Sequence, residues 1–441
     1  MLAGFTDAGP GDYSSWIAVT DDEGYEVWSL LEGGGTSDGS DYVEPTRDGG
    51  FIQGGETWSY SPHNDWDGFI RKLDIDGNQE WARVIGEPGW LDYIMCVREI
   101  PGGGYIATGE IGGHVWFGKF GASGQTIWQT YAQDVNFDFA HFVEPTRDGE
   151  FVCSAQYEDN FVVAKLSNTG NLLWEQAYAD NGMHDGISYC VRELTNGDLV
   201  SVGFANMDFT MAGGWYVVYT DQNGLLIWES YLDPEARQEA REVWIAADGN
   251  IVVGGWWQTP DLLRNYKVIK YTPDGEILWE YMLPDGIANS IAQTVDGGYV
   301  FGGEYHSNDS PESTEFRLIK LEPEVEIELQ PWNPQIPAEG GWLRYAAQVS
   351  NILFNATPLD AWIVVTGPNG QRTPLNSFPV TLQPGATFTR PRINVWVPPS
   401  APNGEYTLEA HLGVAPPEIP PGGPGGSRNM GLGSFTFTKG E

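Results

Sequence analysis

The chain is poor in cysteine and has no long apolar run. Its 441 residues include three cysteines, Cys96, Cys153 and Cys190, and no two of them form a Cys-x-x-Cys pair. An odd number at these spacings argues against a disulfide framework and against a zinc site, so we expect buried free thiols. No segment approaches about 18 consecutive apolar residues, which argues against a transmembrane helix and against membrane insertion.

Basic residues are also scarce. Lys and Arg together number 22 against 61 Asp and Glu, which gives a formal net charge of −39. Such a charge repels nucleic acid and anionic membrane surfaces, so we expect neither as a partner. It attracts cations, which keeps Ca²⁺ as a candidate ligand, although an acidic surface also serves solubility alone.

The motifs of common enzymes and of secretion leaders are missing too. The six histidines show no metal-ligand spacing, and there is no Gly-x-Ser-x-Gly elbow, P-loop or His-Glu-x-x-His motif. The first residues, MLAGFTDAGPGD, lack the charged and apolar regions of a signal peptide. Because these enzyme motifs and metal-ligand spacings are missing, we expect no catalytic activity and no cofactor.

The chain does contain a repeated Gly-x-x-x-Trp pair, six times in its first two-thirds. The pairs are Gly24/Trp28, Gly77/Trp81, Gly124/Trp128, Gly170/Trp174, Gly224/Trp228 and Gly275/Trp279. Helical periodicity is nearly absent, and 234–243 is the only segment that could form a helical turn. A strand-rich repeat of about 50 residues is typical of the four-stranded blades of a β-propeller.

Counting strands within the repeat predicts an incomplete ring over residues 1–324. If the strands of each unit are called a, b, c and d, then b and c occur seven times, whereas a and d occur six times. We predict a seven-bladed propeller whose first and last blades lack strands. Either these blades stay three-stranded, or a strand of the C-terminal domain or of a neighbouring molecule completes them.

The c–d turn carries a family resemblance. It reads D-I-D-G-N-Q-E-W at 74–81 and D-Q-N-G-L-L-I-W at 221–228. These segments resemble the Asp-x-x-Thr-Gly-x-x-x-Trp docking motif of quinoprotein-type propellers. The whole unit is more similar to the repeats of secreted bacterial propeller proteins, which implies an extracellular or cell-surface location.

Charged residues recur at two positions of the repeat. Strand c carries Lys72, Lys119, Lys165, Lys270 and Lys320, for which we expect a structural carboxylate partner. One aligned position of strand a reads Glu44, Arg98, Glu144, Arg192, Trp244 and Ala292. If strand a is innermost, Glu44–Arg98 and Glu144–Arg192 are predicted pairs along the channel.

Aspartates recur just before strand a. They are Asp38, Asp92, Asp138, Asp185 and Asp285. Asp commonly forms turns in this way. The alternative is a carboxylate-lined rim that binds Ca²⁺, for which Asp38, Asp92 and Asp138 are the candidate ligands.

The 50-residue repeat stops at about residue 324, and residues 325–441 have another pattern. About seven short alternating strands in this length predict an Ig-like β-sandwich. The segment 415–426, APPEIPPGGPGG, is too rich in Pro and Gly for a strand and predicts a long loop or arm. Asn355-Ala356-Thr357 is a glycosylation-type triplet.

These features favour a non-enzymatic extracellular structural or adhesive protein that assembles with other subunits or with copies of itself. One alternative is a lectin-like propeller, with loop tryptophans that stack on sugars, namely Trp58, Trp66, Trp90, Trp256 and Trp257. The other is a propeller enzyme, such as a hydrolase, lyase or quinoprotein, because distant loops can assemble a pair of carboxylates.

Overall fold

Every regular element that the structure describes is a β-strand. The computed structural model describes residues 2–9, 12–21, 24–131, 139–157, 160–178, 185–206, 213–232, 237–259, 263–306, 314–321, 325–351, 357–382, 386–413 and 429–440. The predicted all-β class is confirmed within these ranges. None of these residues belongs to a helix long and apolar enough to cross a membrane.

The first 26 strands in these ranges form seven sheets, of which the first and last have three strands and the other five have four. The first sheet consists of β1 (Leu2–Gly9), β2 (Asp12–Thr20) and β3 (Glu26–Glu32). The second and third consist of β4 (Asp38–Pro45), β5 (Phe51–Thr57), β6 (Asp67–Leu73) and β7 (Gln79–Ile85), and of β8 (Tyr93–Glu99), β9 (Tyr105–Ile111), β10 (His114–Phe120) and β11 (Thr126–Tyr131).

The fourth and fifth sheets consist of β12 (Phe139–Pro145), β13 (Phe151–Tyr157), β14 (Asn160–Leu166) and β15 (Leu172–Tyr178), and of β16 (Asp185–Glu193), β17 (Leu199–Asn206), β18 (Gly214–Thr220) and β19 (Leu226–Leu232). The sixth consists of β20 (Gln238–Ile245), β21 (Ile251–Gln258), β22 (Arg264–Tyr271) and β23 (Ile277–Leu283). The seventh consists of β24 (Ser290–Gln293), β25 (Tyr299–His306) and β26 (Thr314–Leu321). This repetition of meandering sheets is a β-propeller-like fold.

Turn chemistry and burial explain why the segments fold into these sheets. The turn between the first two strands of the second sheet closes by a bond from Gly49 N to Thr46 O at 2.9 Å. Gly49 has φ +88°, a conformation that favours glycine. The third strand of that sheet, β6, is buried along its whole length, as expected for a strand covered on both faces.

Each of four successive a strands contains a β-bulge near its start. The register shifts lie between Ser40 and Tyr42, Ile94 and Cys96, Ala140 and Phe142, and Ser188 and Cys190. The a strands β4, β8, β12 and β16 contact one another in sequence. They therefore form the inner edges of their sheets, and the bulges lie along that inner edge.

The first and last of the seven sheets are in contact. Ring centroids of Trp16 on β2 and Phe316 on β26 lie 6.1 Å apart.

The three cysteines are buried and free, which confirms the predicted thiol state. Burial raises the pKa of the Cys96 thiol and keeps it protonated.

Clustering of contacts divides the chain into two compact units. One comprises Met1–Trp244, Ile251–Ile291 and Gly302–Leu318, and the other Ile245–Asn250, Ala292–Phe301 and Ile319–Glu441. The C-terminal part of the second unit contains β27 (Val325–Pro331), β28 (Gln335–Ile336), β29 (Gly341–Asn351), β30 (Thr357–Thr366), β31 (Arg372–Leu382), β32 (Thr387–Val397), β33 (Gly404–Gly413) and β34 (Asn429–Lys439).

The C-terminal strands form two sheets of their own, in the orders β27-β29-β32 and β28-β34-β33-β30-β31. Leu343, Tyr345 and Leu408 lie in the core between them. None of these strands adds to the three-stranded sheets in the described part of the chain, so the predicted completion by the C-terminal domain is not observed.

The helical turn predicted over 234–243 is wrong for its second half, because Gln238–Ile245 is a strand.

Candidate functional site

The tryptophan of the Gly-x-x-x-Trp repeat docks on the following sheet. The indole Nε1–H of Trp28 donates to Ile75 O at 3.2 Å, and Trp81 donates to Ala122 O at 3.1 Å. Trp128 and Trp228 make the same bond to Asn168 O at 2.9 Å and Pro273 O at 2.8 Å. In each case the acceptor lies two residues before the glycine of the next repeat.

The glycine of the repeat forms the floor on which the indole lies. A Cβ on Gly77 would lie 3.1 Å from Trp28, and one on Gly124 only 2.6 Å from Trp81. Gly170, Gly224 and Gly275 meet Trp128, Trp174 and Trp228 in the same way. Gly24 has the same positive φ, +88°, but no described atom lies within 4 Å of the position of its Cβ. Thus five of the six glycines carry a tryptophan of the preceding sheet.

The strand c lysines pair with carboxylates in the a–b turns. Lys72 Nζ lies 3.0 Å from Asp48, Lys165 Nζ 2.5 Å from Asp148, and Lys320 Nζ 2.6 Å from Asp296. The predicted structural role is confirmed for these three: each lysine has a carboxylate partner in an a–b turn, and Lys72 also lies 3.3 Å from Glu80 on the adjacent strand β7. Burial alone would raise the pKa of Asp48, but hydrogen bonds from Thr46, Gly50 and Lys72 hold it below its usual range.

The fourth lysine, Lys119, differs from this pattern. Its Nζ lies 5.5 Å above the ring of Phe151 and donates to Asn168 O at 3.4 Å. Lys119 therefore contacts the next sheet, at the carbonyl that also accepts the indole N–H of Trp128.

The strand a charges form a continuous line of ion pairs, which we call the inner network. Arg98 lies 2.8 Å from Glu44 and 3.2 Å from Glu144. Arg192 lies 3.0 Å from Glu144 and 2.9 Å from Glu242. The structure thus brings together both predicted pairs and links them through Glu144, across five successive sheets.

Glu242 is the member of the inner network that the sequence alignment missed. The alignment of the repeats placed Trp244 at this position, but Arg192 pairs with Glu242, two residues before it on the strand. The Trp244 ring instead lies 5.8 Å from the Arg192 guanidinium, which also packs 4.6 Å from the ring of Phe142. The charge at the aligned position alternates in sign from Glu44 to Arg192, and this alternation was the sequence signal that a carboxylate should follow on the next strand a.

Three glutamates and two arginines leave the inner network with more acid than base. Burial raises the pKa of Glu144 to about 7, despite the opposing charge of Arg98. Burial likewise raises the pKa of Glu242 to about 7, against a hydrogen bond from the Ile291 amide and the charge of Arg98. One buried carboxyl of the network therefore lacks a matching cation at neutral pH.

Stability is expected to fall as pH rises from about 5 to about 8. Glu144 and Glu242 have folded-state pKa values of about 7 against ordinary values of 4.5, so the folded protein keeps protons that the unfolded chain has released. Raising pH removes these protons and leaves charge buried, which lowers the urea midpoint. Glu242→Gln should flatten this pH profile, whereas Glu276→Gln, at an exposed position, should not. An equally steep profile in both variants would contradict this assignment.

Two of the aspartates proposed as calcium ligands, Asp38 and Asp92, are engaged by neighbouring loops. Asp38 accepts hydrogen bonds from Thr57 and, at 2.5 Å, from Ser59 Oγ. Asp92 accepts the amides of Glu87 at 2.7 Å and Gly112 at 2.6 Å. Both Asp38 and Asp92 act as anchors for loops at the start of strand a.

Asp92 faces a second buried carboxylate. The position of a Cβ on Gly86 would lie 1.7 Å from Asp67 Oδ1 and 2.6 Å from Asp92 Oδ2. Potential ligand atoms of His63, Asp65 and Asp67 all lie within 4.8 Å of one another. A hydrogen bond to Asp67 raises the pKa of His63. Sequence reasoning missed this cluster because its residues lie in the b–c loop and at the first residue of strand c, outside the aligned aspartate position.

The two carboxylates of this cluster already accept hydrogen bonds, one from their own loop and one from the segment 86–92. Ser61 Oγ donates to Asp67 at 2.6 Å, and the Gly89 amide donates to Asp65 at 2.6 Å. The cluster therefore holds together the segments 61–67 and 86–92, and the second of these forms one wall of a neighbouring cavity.

That cavity, of about 300 Å³, lies at the same end of the second and third sheets. Its lining residues are Glu87, Pro88, Trp90, Ile111, Gly112, His114 and Tyr131. Trp90 is 52% exposed, and its ring rests on the backbone of Gly113, where a Cβ would lie 2.5 Å away. Because Asp92 binds the amides of Glu87 and Gly112, both walls of the cavity are fixed in place.

The other tryptophans predicted to face sugars are placed differently. Trp58 and Trp66 form an edge-to-face pair with ring centroids 5.8 Å apart, in the loop before β6. Trp256 is 1% exposed, with the guanidinium groups of Arg237 and Arg264 at 5.6 and 4.9 Å from its ring centroid, so its prediction as an exposed stacking residue is wrong. Trp257, the next residue of strand β21, is half-buried.

Four predicted residues cannot be placed in a site. Asp138 and Asn355 lie outside the described residues, as does the Pro/Gly segment 415–426. Asp185 begins β16, and Asp285 has φ +67°, the left-handed conformation that Asp tolerates in turns.

No protein-family model matches the chain, and no curated protein matches it. Among solved structures, a protein from Lactobacillus plantarum is 13% identical, with a TM-score of 0.46 over 72% of this chain and 94% of that chain. A luciferin-regenerating enzyme is 10% identical, with a TM-score of 0.36 over 63% and 90%.

A third similarity concerns a shorter segment. The CARDB domain of a protein from Pyrococcus furiosus, solved in complex with di-metal ions, is 15% identical, with a TM-score of 0.20 over 27% of this chain and 94% of that chain. One of these three structures is thus an enzyme, and similarity at this level does not identify an activity.

Proposed function

We propose that this chain is a non-enzymatic extracellular structural or adhesive protein, built as a seven-bladed propeller with an Ig-like sandwich, that assembles with other chains or copies by strand addition. The observation that supports the proposal is that the first and last of its seven sheets have three strands, whereas the five between them have four. Sheet edges with unpaired N–H and C=O groups are templates for pairing with another chain.

The interior of the protein suits a rigid display role. Five sheets are each fixed to the next by an indole that packs on a glycine, and in four of them the indole also donates a hydrogen bond to that next sheet. The inner network adds a second set of contacts that crosses five sheets. Because contacts at both the outer and the inner strands join neighbouring sheets, the terminal sheets are held in a fixed position, where they can receive a partner strand.

The mass of the protein in solution tests this proposal. Light scattering coupled to size exclusion, over a concentration series, should give a mass that rises with concentration. Because edge pairing uses main-chain hydrogen bonds rather than surface charge, the assembly should persist at high salt. A mass that stays that of one chain at every concentration, alone and with extracellular extract from the source, would overturn assembly by strand addition.

The second candidate function is carbohydrate binding, and the cavity beside Trp90 favours it. Sugar rings stack on an exposed aromatic face, and here the ring of Trp90 is held against Gly113 while the residue stays 52% exposed. Glu87 and His114 supply polar groups around that face. The volume, about 300 Å³, is at the small end of ligand pockets, which fits one or two sugar units.

Trp90→Ala is expected to weaken sugar binding by about tenfold or more, as for loss of a central aromatic contact. A panel of oligosaccharides, followed by titration calorimetry, identifies the ligand. Trp332→Ala is the matched control, because Trp332 is 53% exposed and lies in the other compact unit. Equal loss in both variants, or no binding from the panel, would count against a lectin-like role.

A further inference from the structure

We infer that the junction of the seventh and first sheets is a binding site for an extended segment of another polypeptide, with a tryptophan that docks on Gly24. The inference rests on the proposed strand addition and names the chemistry of the added strand. Gly24 and the part of β26 concerned, up to Leu318, belong to the same compact unit.

Gly24 is a docking position equivalent to five others that are filled. Gly77, Gly124, Gly170, Gly224 and Gly275 have φ between +75° and +87°, and each lies within 3.2 Å, measured from an added Cβ, of the tryptophan of the preceding sheet. Gly24 has φ +88° and open space above it. The sheet that would precede it in the ring is the seventh, which has no strand d among the described residues.

The edge of the seventh sheet is uncovered where strand d lies in the other sheets. The equivalent strands β6 and β18 are buried at every residue. By contrast, Phe316 of β26 is 42% exposed, Arg317 is exposed and Leu318 is half-buried. Exposed apolar residues on an open strand form a surface that pairs readily with another strand.

The seventh and first sheets already lie side by side. Phe316 contacts Trp16, with ring centroids 6.1 Å apart. A strand added to the outer edge of β26 would therefore lie next to the turn that contains Gly24, as β3 lies next to the turn that contains Gly77. In that pair, Trp28 packs on Gly77 and donates its Nε1–H to Ile75 O.

Among the described residues, the strands that these two sheets lack are consecutive in the order of the repeat. The seventh sheet ends with strand c, and the first begins with strand b, whose described partner is β2 alone. One segment that runs from d to a would supply both. Its first strand is expected to resemble β19 and β23, LIWESYL and ILWEYML, with Trp at the third residue and apolar residues beside it.

The test uses the whole chain and a labelled peptide that copies Gly275–Leu283, GEILWEYML. Fluorescence anisotropy should show saturable binding. The same peptide with Trp279→Ala should bind at least about tenfold more weakly, because the indole is the anchor. Binding that is unchanged by this substitution would overturn the inference.

The protein variant Gly24→Val should block the same site, with Gly149→Val as the control. Gly149 has φ +84° and equally open surroundings, so it carries the same backbone strain without the docking role. Gly24→Val should lower peptide affinity at least about tenfold, and Gly149→Val should leave it unchanged. Equal effects of both variants would overturn the inference.

The outcomes for this site and for the proposed function are separable. Tryptophan-dependent peptide binding by a protein that stays a single chain at all concentrations supports the site and overturns self-assembly. Assembly that persists in Gly24→Val and at saturating peptide supports strand addition elsewhere and overturns this site.

Discussion

Arg192→Met is expected to destabilise the protein by about 3–5 kcal/mol at pH 8, the cost of leaving buried carboxylates without their partner. Arg192 is 8% exposed and bridges Glu144 and Glu242, so its loss isolates two acids at once. Methionine keeps much of the volume of the side chain and its contact with Phe142. Urea unfolding followed by tryptophan fluorescence measures the change.

The effect of Arg192→Met should shrink at pH 5. Because the pKa values of Glu144 and Glu242 are raised to about 7, both carboxyls are protonated at that pH and no longer need a cation. Arg147→Met is the control: its side chain is 53% exposed, its paired carboxylate is 3.9 Å away, and the expected change is below about 1 kcal/mol. A loss at Arg192 that is small, or independent of pH, would contradict the electrostatic role of the inner network.

Gly124→Ala is expected to cost about 2–4 kcal/mol, the sum of a left-handed backbone penalty and the displacement of an indole. Gly124 has φ +75°, and the added Cβ would lie 2.6 Å from Cε3 of Trp81. The ring must move, which also strains its bond to Ala122 O. Urea unfolding gives the free energy, and a shift of tryptophan emission reports the displacement.

Gly149→Ala separates the two contributions. Gly149 has φ +84° but no neighbour within 4 Å of the new Cβ, so only the backbone penalty of about 1–2 kcal/mol applies. The difference between the two variants measures the docking of Trp81. Equal costs would show that docking contributes nothing to stability.

Periodicity predicted much of the fold because the repeat is local. Turn glycines such as Gly49 and Gly77 must adopt positive φ, and that requirement is visible in the sequence. The sequence did not reveal on which glycine each tryptophan packs. Trp28 docks on Gly77 of the next repeat rather than on Gly24 of its own, and spacing alone cannot distinguish the two.

The sites were less predictable because they depend on side-chain reach. Glu242 lies two residues from the aligned position, and it joins the inner network because the Arg192 side chain is long enough to reach it. Its segment also consists largely of helix-forming residues, and pairing within the sheet overrides that local preference. The cavity at Trp90 needs a loop from each of two sheets, so no single segment of sequence reveals it.

Alternating charge along the inner edge makes two sheets, rather than one, the smallest interchangeable module of this architecture. Glu44 and Glu144 occupy equivalent places two sheets apart, as do Arg98 and Arg192. Duplicating or deleting a single sheet within this stretch would set glutamate beside glutamate or arginine beside arginine in a buried position. Recombination can therefore lengthen or shorten this stretch only in steps of about 100 residues. An engineer who resizes the scaffold should add or remove sheets in pairs.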